Sequence, residues 1–127
     1  LLTIRFVTYV LGYDIWFYAM HRALHHPSLY KYHKKHHSVR YVTWRETYVN
    51  DTLETILTPI GLVIPLPIVG FSFQAMSGAL AYTSVRAAAQ HEPRCAWWIG
   101  DYHIKHHADM RYNFGQPWLD HLLGTAG

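Results

Sequence analysis

The chain has 127 residues, half of them hydrophobic and only 15% charged, with a net charge of +3. That length suits one domain spanning residues 1–127. The single cysteine, Cys95, excludes an intramolecular disulfide framework, a thiolate zinc finger and a four-cysteine iron–sulfur site, so any metal must be held by nitrogen and oxygen.

From Leu1 to Met20 the only charged residues are Arg5 and Asp14, in a run rich in Leu, Val, Tyr, Phe and Trp. This predicts a helix of about the length that crosses a bilayer, with a buried core helix as the soluble alternative. Asp14, Tyr18, His21 and His25 follow at spacings of four, three and four and form one stripe along it. An acid in an apolar span is a functional candidate. Asp14 and Tyr18 are therefore expected to extend a hydrogen-bonded network inward from a site at the histidines. The simpler alternative is that Asp14 pairs with a polar group on another helix.

"HRALHHPSLYKYHKKHH", His21 to His37, holds six histidines and no acid. His21 and His25 are four apart, so on a helix both rings face one way and can reach one metal. His33, His36 and His37 form H-x-x-H-H, which again puts i, i+3 and i+4 on one side. His26 points about 100° away on a continuing helix and is left out. Lys31, Lys34, Lys35, Arg40 and Arg45 lie between two apolar stretches. That is the pattern of a cytoplasmic loop under the positive-inside rule, and it is favoured over a nucleic-acid patch.

No charged residue falls between Glu54 and Arg86, a run too long for one crossing and short for two full ones. Pro59, Pro65 and Pro67, with Gly61 and Gly70, interrupt it near its middle. The expected form is a helical hairpin that dips into the membrane and returns; a single kinked helix is the competing reading. If histidines on both sides of the run are to meet, the chain must return to the same face.

His91 follows the hairpin as either a ninth ligand or an interfacial histidine. Trp97 and Trp98 suit a membrane interface, near a substrate entry or simply as anchors. His103, His106 and His107 repeat the H-x-x-H-H spacing, and His121 is expected to pack or face solvent. Eight of the eleven histidines thus fall into three groups with ligand spacing. Eight imidazoles exceed what one zinc uses and suit two ions with open positions, although imidazole alone does not name the element. The predicted fold class is all-α: an integral membrane helical bundle with a transmembrane hairpin and a cytosolic histidine-rich helical cap.

"DIWFYAMHRALHHPSLYKYHKKHH" followed by "DYHIKHHADMRYNFGQPWLDHLLGT" resembles the fatty acid hydroxylase superfamily, which includes sterol desaturases and sterol methyl oxidases. The resemblance covers nearly the whole chain, and N-terminal membrane helices are expected to be missing from it. It implies an integral membrane enzyme, of the endoplasmic reticulum in a eukaryote or the cytoplasmic membrane in a bacterium. It also implies a histidine-coordinated pair of iron ions facing the cytosol, with dioxygen as co-substrate.

The ligand set carries over onto His21, His25, His33, His36, His37, His103, His106 and His107, and less securely onto His91. Asp14, Arg22, Tyr30, Asn113, Gly115, Asp120 and Gly124 also stand where the family pattern has recurrent residues. "VNDTLE" departs from it by lacking a histidine-proline pair while keeping Glu54, and His121 replaces a common basic residue.

The implied reaction is O2-dependent hydroxylation or desaturation of a membrane lipid. The three-residue gap between His21 and His25 looks more like that of the sterol desaturase relatives, and this resemblance implies a sterol-type substrate. No glycine-rich nucleotide fingerprint and no C-x-x-C-H haem site is present, so electrons are expected from another chain, such as cytochrome b5 or a ferredoxin with its reductase. No nucleic-acid partner is expected. The alternative from another class is a non-redox membrane protein that binds or transports zinc or copper.

Overall fold

Apolar runs free of proline make two long helices, and prolines break what lies between them. A computed structural model describes residues 1–39 and 41–127, and among these every regular element is helical. Arg40, one member of the basic cluster, lies outside the described residues.

Helix α1 spans Leu2–Leu24, four residues beyond the predicted apolar run, and ends just before Pro27. Three 3-10 turns follow, at Tyr30–Tyr32, His36–Ser38 and Trp44–Tyr48. The third opens with a capping box in which the Thr43 backbone N–H donates to Glu46 Oε2 at 2.6 Å. Asp51 then caps α2 (Thr52–Leu57) by accepting from Leu53 N at 3.0 Å. Pro59, Pro65 and Pro67 punctuate the descent into α3 (Ile60–Val63) and α4 (Leu66–Val69). The chain reverses at Gly70, and Ser72 caps α5 (Phe73–His91). Short helices α6 (Ala96–Ile99), α7 (Tyr102–Ala108) and α8 (Pro117–Leu122) complete it.

The broken arm α2–α4 runs antiparallel to α1 and is stitched to it by side chains. Trp16 Nε1 donates to Leu57 O at 2.8 Å, Tyr9 OH to Gly70 O at 2.6 Å and Arg5 Nε to Val69 O at 2.8 Å. Backbones meet where α1 crosses α3. A Cβ on Gly61 would lie 2.7 Å from Tyr13 Cα, and one on Gly12 would lie 2.9 Å from Gly61 O. Only glycine permits that approach, the packing device common between helices in lipid. Tyr9, Leu62, Ala75 and Ala79 form the buried core there. Helix α5 returns alongside α1, with Phe6 edge-on to Tyr82. The chain therefore returns to the end it left: α2 begins, and α5 ends, beside the histidines.

The outward faces of these limbs are apolar, with Ile4, Val7, Leu11 and Ile15 on α1 and Ile56, Val63, Ile64 and Ile68 on the broken arm all exposed. Among the described residues one segment, Thr52–Val69, is long and apolar enough to cross a membrane, with a mean hydropathy of 1.7. Helix α1, which carries Arg5, Asp14 and Arg22, does not meet that measure.

Candidate metal centre

The end of α1, the turns after it, the end of α5 and helix α7 converge, and nine histidines meet there in two groups. His21, His25, His33, His37 and His106 form one, and His36, His91, His103 and His107 the other; within each, the available donor atoms lie within 4.8 Å of one another. The groups adjoin, with the His37 and His107 rings 4.5 Å apart at their centroids. His91 is a full member of the second group. Its Nε2 lies 3.2 Å from that of His36, 3.0 Å from that of His103 and 3.2 Å from that of His107.

Each H-x-x-H-H box divides between the groups. His33 and His37 go to the first and His36 to the second, while His103 and His107 go to the second and His106 to the first. The i, i+4 pair shares a face, but the remaining ring does not join it, so one side per box was too simple an expectation. The second box is also built of turns, not one α-helix.

What lies behind the rings decides which nitrogen faces inward. Nδ1 of His21 contacts Phe114 O at 2.5 Å, that of His106 contacts Tyr112 O at 2.6 Å, and that of His91 contacts Ala87 O at 2.8 Å. A carbonyl only accepts, so each Nδ1 carries the proton and each Nε2 presents a bare lone pair. His21 Nε2 and His106 Nε2 then both face His25 Nε2, at 3.2 and 3.0 Å. Nitrogens sharing one ion at roughly 2.1 Å lie about 3.0–3.4 Å apart, so this convergence fits cations at both groups. Burial supports the neutral state that ligation needs, pushing His33 and His36 down to about 4 and His106 to about 3.

The buried Glu54 carboxyl lies behind His33 instead, its Oε1 3.0 Å from Nδ1, close enough to pair although the two are not aligned as a hydrogen bond. Such carboxylate–histidine pairs orient ligands and raise their basicity. Glu54 was visible in the sequence only as a residue kept within "VNDTLE". Arg86 was missed entirely: it ion-pairs with Asp14 across α1 and α5. Asp14 is thereby turned to another helix and not to the histidines. Tyr18 OH instead contacts Thr125 Oγ1 at 2.9 Å and accepts from Arg22 Nη1 at 2.9 Å. Among the described residues no hydrogen bond joins Asp14 to Tyr18. His26 bonds Ser28 at the surface, and His121 is exposed.

A cavity of about 210 Å³ runs between the helical limbs to both groups. Tyr13, Phe17, Leu62 and Leu80 line its body, and His21, His33, His36, His91 and His103 its end. Trp97 and Trp98 on α6 are exposed and do not line it.

Fold and site together define a helical protein whose buried histidines can hold two metal ions beside an apolar cavity. The fatty acid hydroxylase family model matches residues 6–125, and the chain belongs to that family. It is 28% identical over 141 residues to sphinganine C4-monooxygenase 1 of Arabidopsis thaliana, covering 95% of this chain and 53% of the relative. A candidate methylsterol monooxygenase of Dictyostelium discoideum is 29% identical over 90% of this chain and 48% of its own length. Human fatty acid hydroxylase domain-containing protein 2 is 32% identical over 88% of this chain and 35% of its own. The chain thus spans about half, or less, of these curated relatives. No solved structure matches it.

Proposed function

We propose that residues 1–127 form a single membrane di-iron domain that carries out O2-dependent hydroxylation or desaturation of a membrane lipid. The observation that carries this is the apolar cavity ending on both histidine groups. Five nitrogen donors exceed the four of a tetrahedral zinc site and suit a metal of higher coordination number, which favours iron over structural zinc in the first group. The two histidine groups would hold a pair of redox-active ions, which would activate dioxygen, the oxidant, with electrons from the donor; no side chain could do this.

The chain's own residues do the rest. Tyr13, Phe17, Leu62 and Leu80 exclude water and align an aliphatic segment with the histidine end. The carbonyls of Phe114, Tyr112 and Ala87 hold the His21, His106 and His91 rings in the ligating tautomer, and the Glu54 carboxyl stands behind His33.

The hairpin α2–α5 is proposed to lie in the bilayer, supported by the apolar character of Thr52–Val69 and the exposed apolar faces of the limbs. The lysines at 31, 34 and 35, all exposed near the histidine end, support a cytosolic face for the site. Endoplasmic reticulum in a eukaryote, or cytoplasmic membrane in a bacterium, is the proposed location. A sterol-type lipid is the favoured substrate, from the three-residue gap in the first box and the methylsterol relative. The sphinganine relative makes a sphingoid base the comparison substrate. Electrons are proposed to come from cytochrome b5 or a ferredoxin with its reductase.

The test is anaerobic metal analysis of the full chain in detergent after iron-supplemented expression, followed by oxygen uptake with sterol and sphingoid substrates. Two irons per chain and substrate-dependent oxygen uptake are expected. Tight zinc that iron cannot replace, with no oxygen uptake, would refute the proposal in favour of a non-redox metal protein.

A further inference from the structure

The loop from Tyr112 to Gly115 packs the Phe114 ring edge-on against His25 and His106 and reaches the His21 and His106 nitrogens through carbonyl oxygens, which are aimed from behind. A trans peptide is planar, with its C=O and N–H pointing opposite ways, so whatever grips the N–H directs the carbonyl. In the Phe114–Gly115 peptide the carbonyl faces His21 Nδ1, and Gly115 N donates to Asp120 Oδ2 at 2.9 Å. In the Tyr112–Asn113 peptide the carbonyl faces His106 Nδ1, and Asn113 N donates to Thr125 O at 2.8 Å.

Asp120 is 0% exposed, and among the described residues it forms no ion pair. Its Oδ1 accepts from Phe114 N at 2.9 Å and from the Thr125 hydroxyl at 2.7 Å. Thr125 is held in turn: its backbone N donates to Asp120 O at 2.8 Å, and its hydroxyl lies 2.9 Å from Tyr18 OH. Because the Thr125 hydroxyl gives its proton to Asp120, it accepts from Tyr18, which accepts from Arg22. One directed chain therefore runs from Arg22 through Tyr18 and Thr125 to Asp120 and the loop.

We propose that Asp120 and Thr125 are positioning residues for the five-histidine group. By clamping two peptide planes they hold His21 and His106 as the Nδ1–H tautomer, with both Nε2 lone pairs directed at one ion. Neither residue reaches the four-histidine group, whose His91 is set by Ala87 O in its own helix. Loss of either should therefore weaken one ion of the two. The inference rests on the metal-centre reading above.

The test is an anaerobic Co²⁺ titration of the full chain in detergent, followed by visible absorption, with helicity and melting recorded for each variant. In Asp120→Asn an amide that keeps the Phe114 and Thr125 bonds turns its NH2 against the Gly115 N–H and releases the peptide that holds His21. The expected result is about a 10- to 100-fold weaker affinity for one Co²⁺ with an altered band, and an unchanged second Co²⁺. Thr125→Val should shift the same ion by less, and Thr125→Ser should restore it. This pair carries the test if Asp120→Asn does not fold. Two unchanged affinities, or both ions weakened alike in step with melting, would overturn the inference while leaving the metal centre standing. A wild-type chain that binds no Co²⁺ would overturn the metal-centre reading itself, and the inference with it.

Discussion

Burial raises the Glu54 carboxyl to about 7, so its charge depends on a neighbouring cation to hold it ionised; replacing it by glutamine removes that charge while keeping an oxygen beside His33 Nδ1. Glu54 is 3% exposed, its Oε1 lies 3.0 Å from His33 Nδ1, and its Oε2 is buried without a partner, so the NH2 of glutamine can occupy that position. A divalent ion on His33 Nε2 would lie roughly 6 Å from the carboxylate, across the ring. At an effective dielectric near 20 their attraction is about 5 kcal/mol, an upper bound that desolvation and the remaining ligands reduce. Losses of carboxylates behind ligating histidines cost about 10- to 100-fold in affinity, or about 1.4–2.7 kcal/mol. Competitive chelator titration of the metal-loaded protein should show a loss of that size for the ion of the five-histidine group alone. Unchanged affinity, or a loss confined to the four-histidine group, would refute the assignment of Glu54 to His33 and its ion.

His91→Ala should leave three imidazoles in the second group and reduce tight metal from two ions to one by metal analysis, whereas His26→Ala, whose ring bonds Ser28, should retain both. Stability of the metal-free protein should fall with acid. Burial holds His33 and His36 at about 4 and His106 at about 3, below the ordinary value near 6.5, so the unfolded chain binds more protons between those limits. Melting temperature should thus be highest above about pH 6.5 and decline toward pH 4; a rise on acidification would contradict the burial of these rings. Gly61→Ala places a methyl 2.7 Å from Tyr13 Cα and 2.9 Å from Trp16 Cβ, so it should destabilise the α1–α3 contact by about 1–3 kcal/mol in detergent unfolding; no change in midpoint would count against that close approach.

Much of the site was legible in one dimension because ligand spacing is a local property. The four-residue interval from His21 to His25, and the repeated H-x-x-H-H, place rings within reach of an ion whatever the rest of the chain does. The helical character of the limbs and the breaks at Pro59, Pro65 and Pro67 are equally local, since a ring that removes a backbone donor acts where it stands. Family membership followed from the same boxes. Asp14 shows the limit of that reasoning: its place on the stripe with His21 was readable, but its partner, Arg86, sits 72 positions away on α5.

The sequence by itself determined that eight histidines stand at ligand spacing, that a proline-broken apolar run separates them, and that a single cysteine leaves no thiolate cluster to build. Only the tertiary structure decided that they divide five and three, that His91 completes the second group as its fourth member, that Glu54 sits behind His33, and that the carbonyls of Tyr112 and Phe114 orient His106 and His21. The reason is physical. Spacing along a helix sets the angle between neighbouring rings, but which ring meets which depends on packing between segments up to 93 positions apart, as from His21 to Phe114. Backbone carbonyls, moreover, carry no signature in the identity of their residues, so their aim exists only once the chain has folded.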